Sequence, residues 1–304
     1  MLSHGAPASS APRYERRRGR SHHTLRNGLR SRPSKANLET ESCNRLKSLY
    51  KKHGRPSAWM GNCDFVQWLV TRKRARVVVD LGVDYGFSTF AFASAMADDG
   101  ARVTAIDLWT KHECQQDAVV AKLRDQLGLR ARVELVIATF DDAFARYRAL
   151  HAEGAFAIDV LHVDGTHAMP DVMYDYESWS SLLAPRGVVL FHDIRNTHVQ
   201  WYFPSLPGRH FALGRGKHPA ALGVLTNDTA LYAEIQEQWE GAPIARVPYN
   251  FSAHPYGEKR LMTATTPQAR QLGGCKSPGV GVNRSGVEYG VERQSLCFER
   301  DCLH

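Results

Sequence analysis

Two short stretches in the middle of the chain bring acids and imidazoles together. One is Leu161-His162-Val163-Asp164-Gly165-Thr166-His167; the other is Val189-Leu190-Phe191-His192-Asp193. Each starts as an apolar run and ends on polar groups, as a buried strand does where it reaches the edge of a sheet. An imidazole beside a strand-end carboxylate can remove a proton near neutral pH. A pair of carboxylates, here Asp164 and Asp193, can instead hold a hard cation such as Mg2+, which acidifies a bound hydroxyl. Both routes end in a deprotonated hydroxyl. In the first, His167 or His192 is the base and Asp164 or Asp193 orients it. In the second, Asp164 and Asp193 hold the metal and His167 takes the proton. His162 points opposite to Val163 and reads as a histidine packed against the sheet.

A third stretch, Val77-Val78-Val79-Asp80-Leu81-Gly82-Val83-Asp84-Tyr85-Gly86-Phe87-Ser88-Thr89, reads as an apolar strand, an acid, a glycine turn and a helix start. A further acid, Asp107, closes the run Ala101-Arg102-Val103-Thr104-Ala105-Ile106. Glycines let a backbone approach a ligand, and an acid ending the second strand can accept both hydroxyls of a ribose. A dinucleotide site asks for Gly-x-Gly-x-x-Gly, because a pyrophosphate must sit on the helix N-terminus. Here Gly82 and Gly86 are separated by a loop that contains Asp84. A carboxylate there repels a pyrophosphate and suits a ligand with positive charge. S-adenosylmethionine carries a sulfonium, an ammonium and a ribose, and no phosphate.

These residues resemble motif I of the class I S-adenosylmethionine-dependent methyltransferases, with Asp84 where the usual motif has a third glycine. The order Asp80-x-Gly82-x-x-x-Gly86-x-Ser88-Thr89, Asp164-Gly165-x-His167, Leu183-x-Pro185-x-Gly187-Val188, His192-Asp193 is similar to one branch of that class. The branch includes relatives of macrocin O-methyltransferase and cephalosporin-hydroxylase-type proteins. The resemblance covers roughly residues 75–250. It implies O-methylation of a small hydroxyl-bearing acceptor: a sugar, a glycolipid or a secondary metabolite. By position, Asp80, Gly82, Asp84 and Gly86 would line the methionine part of the cofactor. Ser88 or Thr89 would cap the following helix, and Asp107 would take the ribose. Leu108 and Trp109 would lie beside ribose or adenine, with Thr139, Phe140 and Asp141 near adenine. Such enzymes place an Asn or Asp beside the strand-five acid; here its neighbours are His192 and Ile194, so the Mg2+ shell is one oxygen short. Two other readings stay open. One is a nicotinamide-dependent oxidoreductase, which Asp84 and the glycine spacing oppose. The other is a non-catalytic protein of the same fold.

The elements that must position these groups alternate. Strands are expected at Arg76–Asp80, Arg102–Asp107, Arg132–Ala138, Ala157–Val163, Val188–Phe191, Ala221–Thr226 and Ile244–Tyr249. Helices are expected at Ala58–Val70, Ser88–Ala97, Glu113–Leu127, Asp141–His151, Pro170–Leu183 and Ala230–Trp239. Alternation of this kind predicts an α/β fold, a doubly wound, seven-stranded, mostly parallel sheet of the Rossmann-like methyltransferase type. Its ligands bind beyond the carboxyl ends of the strands, where Asp80, Asp107, Asp164 and Asp193 all fall. The loop Arg195–Gly216, with Trp201, Tyr202, Phe203, Arg209, His210 and Phe211, is the expected acceptor-recognition segment.

Composition sets the limits. The chain has 304 residues and a net charge of +8, yet residues 1–55 alone carry +11, from 14 Lys and Arg against 3 acids. The basic character therefore belongs to a leader at 1–55, poor in apolar residues and expected to be disordered. It offers a tether to nucleic acid or an anionic membrane, although aromatic residues for base stacking are sparse, Tyr14 and Tyr50. Residues 56–262 form the methyltransferase-like domain and 263–304 a poorly ordered tail. No run is apolar enough to span a bilayer. The six cysteines are scattered without a Cys-x-x-Cys, which points to a reduced, cytoplasmic chain.

Overall fold

The computed structural model describes residues 40–53, 55, 57–109, 115–196, 198–214 and 221–247. Near-continuous Val, Leu and Ile runs form β1 (Val77–Leu81), β2 (Arg102–Asp107), β3 (Val133–Ile137), β4 (Ile158–Val163) and β5 (Leu183–Phe191). Such runs suit strands buried on both faces. β6 (Arg209–Leu213), β7 (Gly223–Thr226) and β8 (Gly241–Ile244) complete one sheet in the order β3-β2-β1-β4-β5-β7-β6-β8. The first five strands are parallel; β7 runs antiparallel to β5, and β6 pairs antiparallel with both β7 and β8. Because β1 pairs with both β2 and β4, the direction of winding reverses at β1. The crevice where ligands bind an open α/β sheet therefore lies at the ends of β1 and β4.

Helices cover both faces. Those introduced here are α1 (Glu41–Lys52), α2 (Cys63–Lys73), α3 (Phe87–Ser94), α4 (Gln116–Gln126), α5 (Phe140–Ala152), α6 (Asp171–Ser180), α7 (Val199–Tyr202) and α8 (Thr229–Gln238). One core joins α1, α2, α3 and α8 to Val78, Val103, Val160 and Leu190; the other joins α5, α6 and α7 to Val79, Leu81, Val163 and Phe191. The alternation of Val78 and Val79 between these cores is the two-residue period of a strand. No helix among the described residues is long and apolar enough to cross a membrane.

The sheet has eight strands where the sequence predicts seven. The additional one, β6, lies inside the expected acceptor loop, and its His210, Phe211, Ala212 and Leu213 are buried. Phe203, in a 3-10 turn at Phe203–Ser205, is fully buried as well. Most of that loop's aromatic character thus fills the core; Trp201 remains 58% exposed. The last expected strand arrives earlier, as β8, and its predicted end at 248–249 lies outside the described residues. The helix expected at Ala58–Val70 is a 3-10 turn, Ala58–Asn62, followed by α2. The expected start of the next-but-one helix at Glu113 also falls outside the described residues.

Helix α1 corrects the leader boundary. It occupies part of the stretch read as coreless, yet Cys43, Leu46 and Tyr50 sit on one helical stripe and are 0–1% exposed. Thr40 caps it by accepting the Cys43 N–H. The expectation of reduced cysteines fails here too: Cys43 and Cys63 form a disulfide that ties α1 to the start of α2. Such a bond needs an oxidising step to form, so the cysteine pattern no longer argues for the cytoplasm. The remainder of the leader, residues 1–39, and the tail lie outside the described residues.

Candidate active site

The glycine turn after β1 is dictated by close packing. Gly82 has φ +89°, and a Cβ there would stand 2.1 Å from the Asp164 carbonyl oxygen. No other residue lets the ends of β1 and β4 come this near. Asp107 ties the turn down: its Oδ2 accepts the N–H groups of Val83 (2.8 Å) and Asp84 (3.1 Å), and its Oδ1 that of Trp109 (2.8 Å). Asp84 adopts φ +49°, and its side chain accepts from Gln116 Nε2 at 2.9 Å.

A cavity of about 670 Å³ opens over this turn. Gly82, Asp84, Ser88, Asp107 and Leu108 line one part of it, with Ala138, Thr139 and Phe140 beyond. Asp164, Gly165, Thr166, His167, His192 and Asp193 line another. The glycine turn and the acid–imidazole cluster therefore share one space.

Several expected cofactor residues have other employment. Asp80 is 0% exposed and absorbed by the fold: its Oδ2 accepts Ser88 Oγ–H (2.8 Å) and Thr89 Oγ1–H (2.5 Å), and its Oδ1 faces His162 Nδ1 at 2.6 Å. β1 pairs Asp80 directly with His162, which fixes that contact. Ser88 and Thr89 consequently do not cap α3, whose N-cap is Gly86 at φ +84°. Trp109 is 6% exposed and donates its indole N–H to the Asp84 carbonyl oxygen, so it braces the turn from behind. Asp141 is exposed and does not line the cavity, whereas Thr139 caps α5 by accepting the Asp142 N–H.

The cluster at the ends of β4 and β5 is centred on Asp164. Its Oδ1 lies 2.8 Å from His167 Nε2 and 3.1 Å from His192 Nδ1, and its Oδ2 accepts the Trp59 indole N–H at 3.0 Å. Asp193 stands beside it, 3.4 Å from His192 Nδ1 and 3.8 Å from His167 Nε2. His167 and Asp193 adopt φ +56° and +53°, a left-handed backbone that non-glycine residues take at a cost and that concentrates at functional sites. Burial alone would raise the Asp164 carboxyl. The His192 charge and the hydrogen bonds from both imidazoles outweigh it and hold Asp164 well below the usual carboxylate range. For His192, burial acts downward, but Asp164, and behind it Asp193 and Asp80, raise the imidazole above its ordinary value. His162 Nε2 and His192 Nε2 are buried and accept or donate no hydrogen bond within the protein.

The groups that converge are one carboxylate and two imidazoles, Asp164, His167 and His192, with ligand atoms within 4.8 Å of one another. Mg2+ asks for oxygen ligands in an octahedral shell. Asp164 and Asp193 are the carboxylate oxygens that stand beside these imidazoles.

Sequence reasoning missed the wall contributed from outside these strands. Tyr50, Arg55, Ser57, Ala58 and Trp59 line the cavity. Tyr50 donates its hydroxyl to the Tyr85 carbonyl oxygen. Trp59 is 4% exposed, stacks on His192 with centroids 5.7 Å apart, and meets His162 edge-on at 4.5 Å. Ser57, which accepts the Trp59 N–H, was the local signal for the turn; nothing local pointed Trp59 at Asp164.

Residues 79–194 match the family model described as a methyltransferase domain. A curated relative, the uncharacterized protein y4gI of Sinorhizobium fredii, is 36% identical over 148 residues. That alignment takes in 45% of this chain, and the chain spans about 15% of the relative's length. Solved structures with a similar course include the O-methyltransferase TomG from Streptomyces achromogenes in complex with SAM (16% identical, TM-score 0.49, covering 62% of this chain and 90% of that one). The O-methyltransferase from Bacillus cereus in complex with SAH is 17% identical, with TM-score 0.47 and coverage of 62% and 91%. Residues 79–194, which match the methyltransferase-domain model, carry the glycine turn and lie at the switch point of the β3-β2-β1-β4-β5-β7-β6 order.

Proposed function

We propose that this chain methylates a hydroxyl of a small acceptor, with S-adenosylmethionine as donor; sugars, glycolipids and secondary metabolites are the acceptor classes considered. One observation carries the reading: the Asp164–His167–His192 cluster opens on the same cavity as the glycine turn. Methyl transfer needs little covalent help, because the sulfonium already makes the methyl electrophilic. The protein's part is to align the acceptor and to remove its proton. In the cation-free protein His167 is the base, as the more exposed imidazole of the two (19% against 7% for the side chains). Asp164 behind it steadies the imidazolium that forms. Gly82, Asp84, Ser88 and Asp107 line the cofactor's part of the cavity, with Asp107 facing the ribose.

A nicotinamide-dependent oxidoreductase is the competing activity, and Asp84 at the turn opposes it by repelling a pyrophosphate. Calorimetric titration of the purified chain with S-adenosylmethionine, with NAD as control and Asp107→Ala alongside, tests the reading. Micromolar binding of S-adenosylmethionine that Asp107→Ala weakens at least tenfold is expected. Binding of NAD alone, or of neither ligand by folded protein, would sink it. A non-catalytic protein with a tethering leader predicts instead that the partner is lost when residues 1–39 are deleted.

A further inference from the structure

We infer that the Cys43–Cys63 disulfide is a redox latch on the cofactor cavity: the bridged chain binds S-adenosylmethionine tightly, and reduction of the bridge frees one wall of the cavity and weakens binding. The inference rests on reading this cavity as the S-adenosylmethionine site, and concerns what controls that site.

The wall is a loop of chain closed by the bridge, whose cysteines are 20 positions apart. Tyr50, Arg55, Ser57, Ala58 and Trp59, which line the cavity, all fall inside that loop. It reaches both parts of the cavity. Beside the glycine turn, Tyr50 donates to the Tyr85 carbonyl oxygen and the Arg55 guanidinium lies 4.0 Å over the Tyr85 ring. At the ends of β4 and β5, Trp59 holds Asp164 Oδ2. His53, Arg55, Ser57 and Ala58, between these anchors, are partly or fully exposed. α1 rests on α3, with Tyr50 edge-on to Phe87 at 5.0 Å. Beyond the sulfurs, α1 meets α2 through part-buried polar contacts: Lys47 Nζ to Asp64 (3.1 Å), the Thr40 N–H to Asp64 (3.1 Å) and Ser42 Oγ to Gln67 (2.6 Å). A cross-link limits how far the loop it closes can move, and its loss returns that freedom. Both cysteines are 0% exposed, so a reductant reaches them only when α1 lifts. Lifting α1 also draws Tyr50 away from Tyr85, so reduction and opening of the wall share one movement. The step itself needs a dithiol. Its thiolate attacks one sulfur, the other cysteine leaves and takes a proton, and the second thiol of the reductant displaces the first sulfur. Cys43 and Cys63 gain two electrons and two protons, and the reductant ends as a disulfide. A ligand that favours the closed wall must by linkage favour the bridge.

The test uses the full chain and dithiothreitol, with peptide mapping by mass spectrometry to follow this bridge apart from Cys114, Cys275, Cys297 and Cys302. Calorimetry with S-adenosylmethionine is run on oxidised, reduced and reoxidised samples, and urea unfolding reports that each is folded. We expect Kd to rise about tenfold or more on reduction and to return on reoxidation. Amide exchange across residues 44–62 should be faster in the reduced chain. Saturating S-adenosylmethionine should make the bridge harder to reduce by the same factor, read as the ratio of reduced to oxidised dithiothreitol at half reduction. The Cys43→Ala/Cys63→Ala variant should bind as the reduced chain does and ignore dithiothreitol. An affinity that changes less than twofold on verified reduction would overturn the inference and leave the methyltransferase reading intact. A dithiothreitol effect that persists in the double variant would overturn it as well, by assigning the effect to other cysteines. So would loss of cooperative unfolding on reduction, which would make the bridge a strut of the whole fold, or mapping that finds no Cys43–Cys63 bridge after oxidation. Absence of S-adenosylmethionine binding by the folded, bridged chain is the separate failure: it counts against the proposed function, and the inference falls with it.

Discussion

Asp80 with His162 and Asp164 with His167 are the same chemical pair, used twice on neighbouring strand ends. The first is 2.6 Å long and wholly buried; the second is 2.8 Å long with side chains 15% and 19% exposed. Every visible hydrogen-bonding position of Asp80 is taken by Ser88, Thr89 and His162, all of them fold residues. Asp164 sits two positions beyond His162, where the strand has ended and the cavity begins. The difference teaches that residue type did not assign the roles. A dry pair holds elements together, because a low dielectric makes its loss expensive. A pair at the rim keeps one side for a ligand.

The comparison can be broken by four measurements. Asp80→Ala should be the most damaging, costing about 3 to 5 kcal/mol, because it strands a buried imidazole and two hydroxyls; urea unfolding checks it, and a loss under 1 kcal/mol would refute the strut. Asp164→Asn should do the opposite. On any acceptor the wild type turns over, the rate should fall about 100-fold, worth about 2.7 kcal/mol in the barrier. Its unfolding free energy should fall by less than half the Asp80→Ala loss. Equal destabilisation by the two variants would erase the distinction. Ser88→Ala removes one of the three hydrogen bonds on Asp80 and should cost about 1 to 1.5 kcal/mol, with S-adenosylmethionine affinity nearly unchanged. A larger effect on affinity than on unfolding would mean that Ser88 serves the ligand first.

The smallest effect calibrates the others with an acid remote from both pairs. Asp228 caps α8 by accepting the Leu231 N–H and two N–H groups of Arg186. Burial pushes its carboxyl up, but those hydrogen bonds outweigh burial and leave it lowered. Asp228→Ala should cost about 1 kcal/mol at pH 7. A carboxyl lowered by folding contributes its stability above the unfolded value, about 3.9, and loses it as pH falls through the lower folded value. The gap between wild type and variant should therefore be flat from pH 5 to 7 and shrink below about pH 4. A gap that widens on acidification would contradict the sign.

Much of the site was legible because strand ends are legible. Apolar runs closing on Asp80, Asp107, Asp164 and Asp193 mark one sheet edge, and the structure collects Asp107, Asp164 and Asp193 around one cavity. Alternation also says that Asp80 points away from Val79 and Leu81. It does not say whether that side is solvent or the underside of α3, so in the sequence Asp80 looks like a ligand contact. Trp59 could not be found this way, since its hydrogen bond to Asp164 spans 105 positions. The Cys43–Cys63 bridge was hidden for the same reason: its spacing belongs to no local motif. Strand β6 looks like loop in the sequence because its aromatics next to Arg209 and His210 resemble a recognition surface. Three-dimensional context, the pairing with β7 and β8, turned them inward.

The three N–H groups gathered by Asp107 have an entropic meaning. Gly82, Asp84 and Gly86 all hold positive φ angles, so this short loop occupies a small part of conformational space. Ordering a residue costs about 1 to 2 kcal/mol of backbone entropy. Because Asp107 and the Trp109 indole hold the loop before any ligand arrives, that cost falls on folding, and a cofactor meets a receptor already in shape. Asp107→Ala would then remove a contact and also loosen the loop. Its binding penalty should be visibly entropic, with faster amide exchange at Val83 and Asp84 in the free protein.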